Sequence, residues 1–161
     1  MKTRLVIFLV TGMLAACASR NADNLPKTAE STRHDNRITS PEAASTANSV
    51  EAYKRDLALR IARVNAGKVF TGRPQALLRS VVVVHYTVDE HGKLVRSEII
   101  RSNHDRETET IALAALRNSA PFPQPASHLL HHGRLEISET WLFNNDGRFQ
   151  LRSIAEAQMD R

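Results

Sequence analysis

Seven histidines and one cysteine are the most reactive side chains in this 161-residue sequence, and their spacing decides what chemistry is open to them. His128, His131 and His132 stand as H-x-x-H-H. A metal site there would need the imidazoles to converge with a Cys, Asp or Glu. None is adjacent, and only Glu136 could fold back. The pattern reads as exposed loop histidines with no metal bound, and a metal-dependent activity at this loop is the enzyme-class alternative. His85 falls in a run of β-branched residues, where a packed or surface imidazole is expected. His91 falls in a turn, and His34 in a polar stretch. No serine sits in a strand–turn–helix nucleophile context, and the 6 glycines form no phosphate-cradling loop. Neither an enzyme nor a cofactor is expected. Cys17 cannot form an internal disulfide, because the chain has no second cysteine.

The residues around Cys17 give it a different use. Lys2 and Arg4 precede an apolar run over residues 5–13, which Leu14-Ala15-Ala16-Cys17 closes. This order fits a secretory signal, and the run is shorter than the about 20 residues that span a bilayer. The tetrapeptide resembles the lipobox of bacterial lipoproteins, in which cleavage precedes the Cys and its thiol takes a diacylglyceryl group. The resemblance implies a signal peptide over residues 1–16, lipidation of Cys17, and a place on the periplasmic side of the bacterial envelope. Ala18 in place of an Asp implies the outer membrane rather than the inner. Each buried methylene contributes about 0.8 kcal/mol, so several acyl chains would make a lasting membrane anchor. Without Lys2 and Arg4 the chain holds 20 basic against 17 acidic residues, or +3. That balance is mild and scattered, which argues against a nucleic-acid partner.

The elements that must carry any site come later in the chain. Residues 17–49 are rich in Ser, Thr, Asn and Ala with few large aliphatics, a composition expected to form a disordered tether. About 32 such residues could reach roughly 100 Å when extended. Residues 49–68 place Tyr53, Leu57, Ile61 and Val64 on one helical face, with Arg55, Arg60 and Arg63 elsewhere. The face is too narrow for a membrane-surface helix and suits packing on a sheet. Next, Val82, Val84, Tyr86 and Val88 alternate with Val81, Val83, His85 and Thr87, predicting a strand. Asp89-Glu90-His91-Gly92 predicts a turn. A second strand follows over 93–102, and its alternation slips between Arg96 and Ile99, predicting a bulge there. Asp105 is an expected N-cap for a helix that shows Ile111, Ala112, Ala115 and Leu116 on one face. Pro121, Pro123 and Pro125 stop that helix. Residues 135–143 alternate Leu135, Ile137, Glu139, Trp141 and Phe143 against polar neighbours. Glu139 conflicts with the apolar phase, and a bulge near Ser138 or a half-exposed end would resolve it. Asn144-Asn145-Asp146-Gly147 predicts a hairpin turn into a last strand over 148–154. Residues 156–161 read as a polar tail.

The expected fold class is α+β, with two helices packed on one face of a small antiparallel sheet of three to four strands, over residues 50–155. In order, VVVVHYTVDEHG (81–92), IIRSN (99–103), ALAALR (112–117), PFPQP (121–125) and the 135–143 strand resemble the C-terminal domain of TonB, whose fold TolA shares. The resemblance covers roughly residues 53–154. It implies binding of a periplasmic protein partner, an outer-membrane receptor or a Tol/TonB-system component, by strand addition beside Leu135, Ile137, Glu139, Trp141 and Phe143. The last strand would cover that edge and have to detach. The N-terminus departs from TonB in two ways: its apolar segment looks cleavable, and its spacer is not Pro-rich. This implies an accessory module for such transport systems. The alternative is a TonB-family energy transducer with an uncleaved N-terminal anchor.

Overall fold

The computed structural model describes residues 43–157. Four strands form one antiparallel sheet in the order β2-β1-β3-β4. They are β1 (Ser80–Asp89), β2 (Leu94–Arg101), β3 (Arg134–Phe143) and β4 (Phe149–Leu151). Two helices, α1 (Val50–Val64) and α2 (Arg106–Asn118), cover one face. The expected α+β arrangement is what the chain adopts, and among the described residues no helix is long and apolar enough to cross a membrane.

The alternation in β1 sets the core. Val82, Val84, Tyr86 and Val88 are fully buried beneath the helices, while Val81, Val83 and His85 on the outer face are half-buried. Opposite them, Leu135, Ile137, Trp141 and Phe143 of β3 turn the same way. Burying a large apolar side chain contributes roughly 1.5–3 kcal/mol, so this one face holds most of the folding free energy. Tyr53, Leu57, Ala58 and Ile61 of α1 and Ala112, Ala115 and Leu116 of α2 close over it.

Each helix starts on a side-chain cap. The Ser49 hydroxyl accepts from the Ala52 amide, and the Asp105 carboxylate accepts from the Glu107 and Thr108 amides. Arg79 bridges Asp105 and Glu107, with its Nε 2.8 Å from Asp105 Oδ2. The start of β1 is thereby tied to the start of α2.

One arginine and the bulging of β2 differ from the sequence reading. Arg60, expected away from the packed face, is buried, and its Nε donates to the Ser119 carbonyl at 2.6 Å. A cation there meets the partial negative charge at the C-terminus of α2. In β2 the stretch from Arg96 to Ile99 pairs without interruption, and the irregularities flank it. Val95 and Ile100 are the extra residues, each left exposed.

The Pro-rich segment after α2 works as a hub. The Tyr53 hydroxyl donates to the Pro123 carbonyl at 2.6 Å, and the Ser45 amide donates to the Gln124 carbonyl. Burial, with Asp56 and Asp89 nearby, pushes the Tyr53 phenol far above its ordinary range, so it stays a donor. The Phe122 amide donates to the Gly92 carbonyl at 2.7 Å. Gly92 has a φ of +77°, and a Cβ there would lie 1.9 Å from the Phe122 oxygen. Only glycine permits this approach of the β1–β2 turn to the hub. Residues 43–49, at the end of the stretch read as a tether, pack here too, with Ala47 in the core.

Candidate functional site

β3 is central for its whole length on one side and only partly covered on the other. All ten of its residues pair with β1. β4 pairs with Trp141, Leu142 and Phe143 alone. The last strand predicted over 148–154 is therefore shorter, because residues 152–154 turn away, with the Ile154 and Ala155 amides donating to the Leu151 carbonyl.

Backbone direction alternates along an antiparallel strand. The Thr140 carbonyl accepts from Arg152, and the Asn144 amide donates to Arg148, so even-numbered residues of β3 face the β4 side. Glu136 and Ser138 thus direct their N–H and C=O groups past the end of β4. Among the described residues no strand pairs with them there. Arg134 is already engaged, exchanging both backbone bonds with His131. The open edge is short and centred on Glu136 and Ser138.

The five residues named from the sequence lie elsewhere on the strand. Leu135, Ile137, Glu139, Trp141 and Phe143 all point into the core and bond their backbones to β1. An added strand would meet the outward backbone of Glu136 and Ser138, which the sequence reading passed over because it followed the apolar phase. The outward side chains are Glu136, Ser138, Thr140 and Leu142. Ser138 Oγ lies 3.1 Å from His85 Nδ1 on this outer face.

Glu139 is the exception within the core. The register of β3 on β1 is continuous, so the bulge expected near Ser138 is absent. Glu139 is only 1 % exposed. Its Oε1 accepts from the Thr140 amide at 2.7 Å. Thr140 faces the β4 side where that strand has ended, and the carboxylate replaces the missing strand partner. Glu139 Oε2, Tyr86 Oη and Trp141 Nε1 are buried with no hydrogen-bond partner among the described residues. Burial pushes the Tyr86 phenol well above its ordinary value, and the Glu139 charge adds to this. The off-phase glutamate was the sequence signal for this polar group.

Cys17 lies outside the described residues. His128 Nε2 lies 3.1 Å from the Asn48 carbonyl, and the His131 backbone closes a turn with Arg134. Among the described residues, no group of three His, Cys, Asp or Glu side chains is placed to hold a metal ion. No family model, no curated protein and no solved structure matches this chain.

Proposed function

We propose that this chain is a lipid-anchored protein of the bacterial envelope whose TonB C-terminal-like domain binds a periplasmic protein partner by strand addition. The anchor is Cys17, and the partner is an outer-membrane receptor or a component of a Tol/TonB-type transport system. The module holds its partner and catalyses nothing. What carries the reading is the half-covered edge of β3. Glu136 and Ser138 offer donors and acceptors to an incoming strand, and such unpaired backbone is the template that strand addition uses. Because no strand among the described residues covers this half of the edge, an added strand does not require β4 to leave.

The test is photo-cross-linking from position 136 in intact envelopes, with and without Ser138→Pro. The Ser138 amide bonds to no strand among the described residues, so proline there spares the ladder while removing the donor an added strand needs. Capture of one envelope protein, lowered about tenfold by S138P at unchanged thermal stability, is the expected result. Equal capture by both would exclude the edge. The mass of the mature N-terminus separates the anchors: a diacylglyceryl-modified Cys17 is expected, whereas an intact Met1 would return the energy-transducer reading.

A further inference from the structure

The other margin of the sheet is also unpaired. β2 pairs with β1 on one side and with no other strand among the described residues. We infer that this margin, with the groove beside it, is a docking site for an extended acidic segment of a second partner protein. The site is distinct from the β3 edge.

The groove measures about 510 Å³ and runs between β2 and the end of α2. Leu94, Val95, Ala120 and Pro121 give it an apolar floor. Val95 lies there because it is an extra residue in the β2 ladder, pushed out and 45 % exposed. The backbone beside the floor is suitably turned. Asp89 bonds to Lys93 across the turn, so Thr87 and His85 bond toward β2, where they face Arg96 and Glu98. Ser97 and Ile99 between and beyond these present their N–H and C=O groups outward.

The charge around the groove selects the occupant. Lys93, Arg96 and Arg117 line it. Glu98 engages Arg96 at 2.7 Å, while Lys93 and Arg117 have no carboxylate partner among the described residues. A helix C-terminus would ordinarily repel an anion. Here Arg60 takes the Ser119 carbonyl and Asn65 Nδ2 takes that of Ala115, so the repulsion is blunted. A second copy of this chain is disfavoured, because two bulges bend the strand away from the flat edge that pairing of two β2 strands would need. An extended segment with carboxylates on alternate residues and small apolar side chains between them matches both rim and floor.

The probe is a fluorescein-labelled ten-residue peptide alternating glutamate with valine, titrated against the full chain by fluorescence anisotropy. A lysine-for-glutamate peptide is the control. Saturable binding of the acidic peptide is expected. It should weaken with added salt and fall about tenfold in the double variant Lys93→Glu/Arg117→Glu. Both positions are exposed, but a glutamate in the last turn of α2 opposes the helix dipole, so the thermal midpoint of that variant should fall by only a few degrees. In NMR spectra the perturbed amides should be those of residues 93–99 and 117–120, with Glu136 and Ser138 unmoved. Absence of binding, equal binding of the lysine peptide, indifference to the double variant, or shifts centred on Glu136 and Ser138 would each overturn the assignment.

Discussion

Glu139 and Asp105 are both carboxylates that cap backbone amides, and their settings give them opposite responses to substitution. Glu139 lies in the core with one oxygen bonded to the Thr140 amide and the other without a partner among the described residues. Glutamine keeps the acceptor and removes a charge from an apolar setting, so Glu139→Gln should raise stability by about 1 kcal/mol. Glu139→Ala orphans the Thr140 amide and leaves a void, and should cost about 2–3 kcal/mol. Urea denaturation of both variants checks the contrast; a loss in E139Q as large as in E139A would mean that the negative charge itself is required. Asp105 is a surface cap. Partial desolvation works against its charge, but the Thr108 and Glu107 amides and the Arg79 guanidinium outweigh it and hold the carboxyl below its ordinary 3.8. A depressed carboxylate stabilises the fold above its unfolded pKa and loses that contribution as the pH falls through the folded one. Wild type should therefore exceed Asp105→Asn in stability at pH 7, and the gap should close on acidification to pH 2. Denaturation midpoints measured across that range test it, and a gap independent of pH would rule out the ionised cap.

At the scale of elements, the alternating run of β1 and the N-cap of α2 were legible because each rests on local rules: period-two burial and an Asp just before the first turn. What escaped the sequence depends on where neighbouring elements stop. The two bulges in β2 add two residues in all, so the burial phase is restored beyond them. Their combined effect looked like a single slip between Arg96 and Ile99, although that is where pairing is regular. Arg60 was misplaced because its partner, the Ser119 carbonyl, belongs to another helix. β4 is the element that bears most directly on the proposed strand addition. It has only three residues, yet Phe149 and Leu151 are buried and Phe149 packs at 5.7 Å between ring centroids from Phe143. Phe149→Ala should cost about 3–4 kcal/mol, and unfolding should remain one transition. Trp141 fluorescence and far-UV circular dichroism should then give coincident urea curves. Earlier loss of the Trp141 signal would make β4 a detachable flap and favour a partner that displaces it.

On the scale of the whole molecule, the sequence located β3 but not the backbone groups that no strand pairs among the described residues. The apolar phase of β3 was visible, whereas the half-open edge follows from the turn at residues 152–154, which no local pattern marks. The hub after α2 has a consequence for how the domain comes to exist. Tyr53 of α1 waits for Pro123, 70 residues further along. The Phe70 amide waits for the Phe149 carbonyl. Hardly any of the apolar surface of α1 has a partner close in sequence, so the first of the described elements to be synthesised is among the last to be satisfied. Such non-local closure slows folding. A nascent chain crossing a membrane would expose the α1 stripe until residues up to 151 had followed. Were the chain exported as proposed, delivery of this domain would call for a holding chaperone or for passage in the unfolded state, and the same lag would keep the chain slack enough to be threaded.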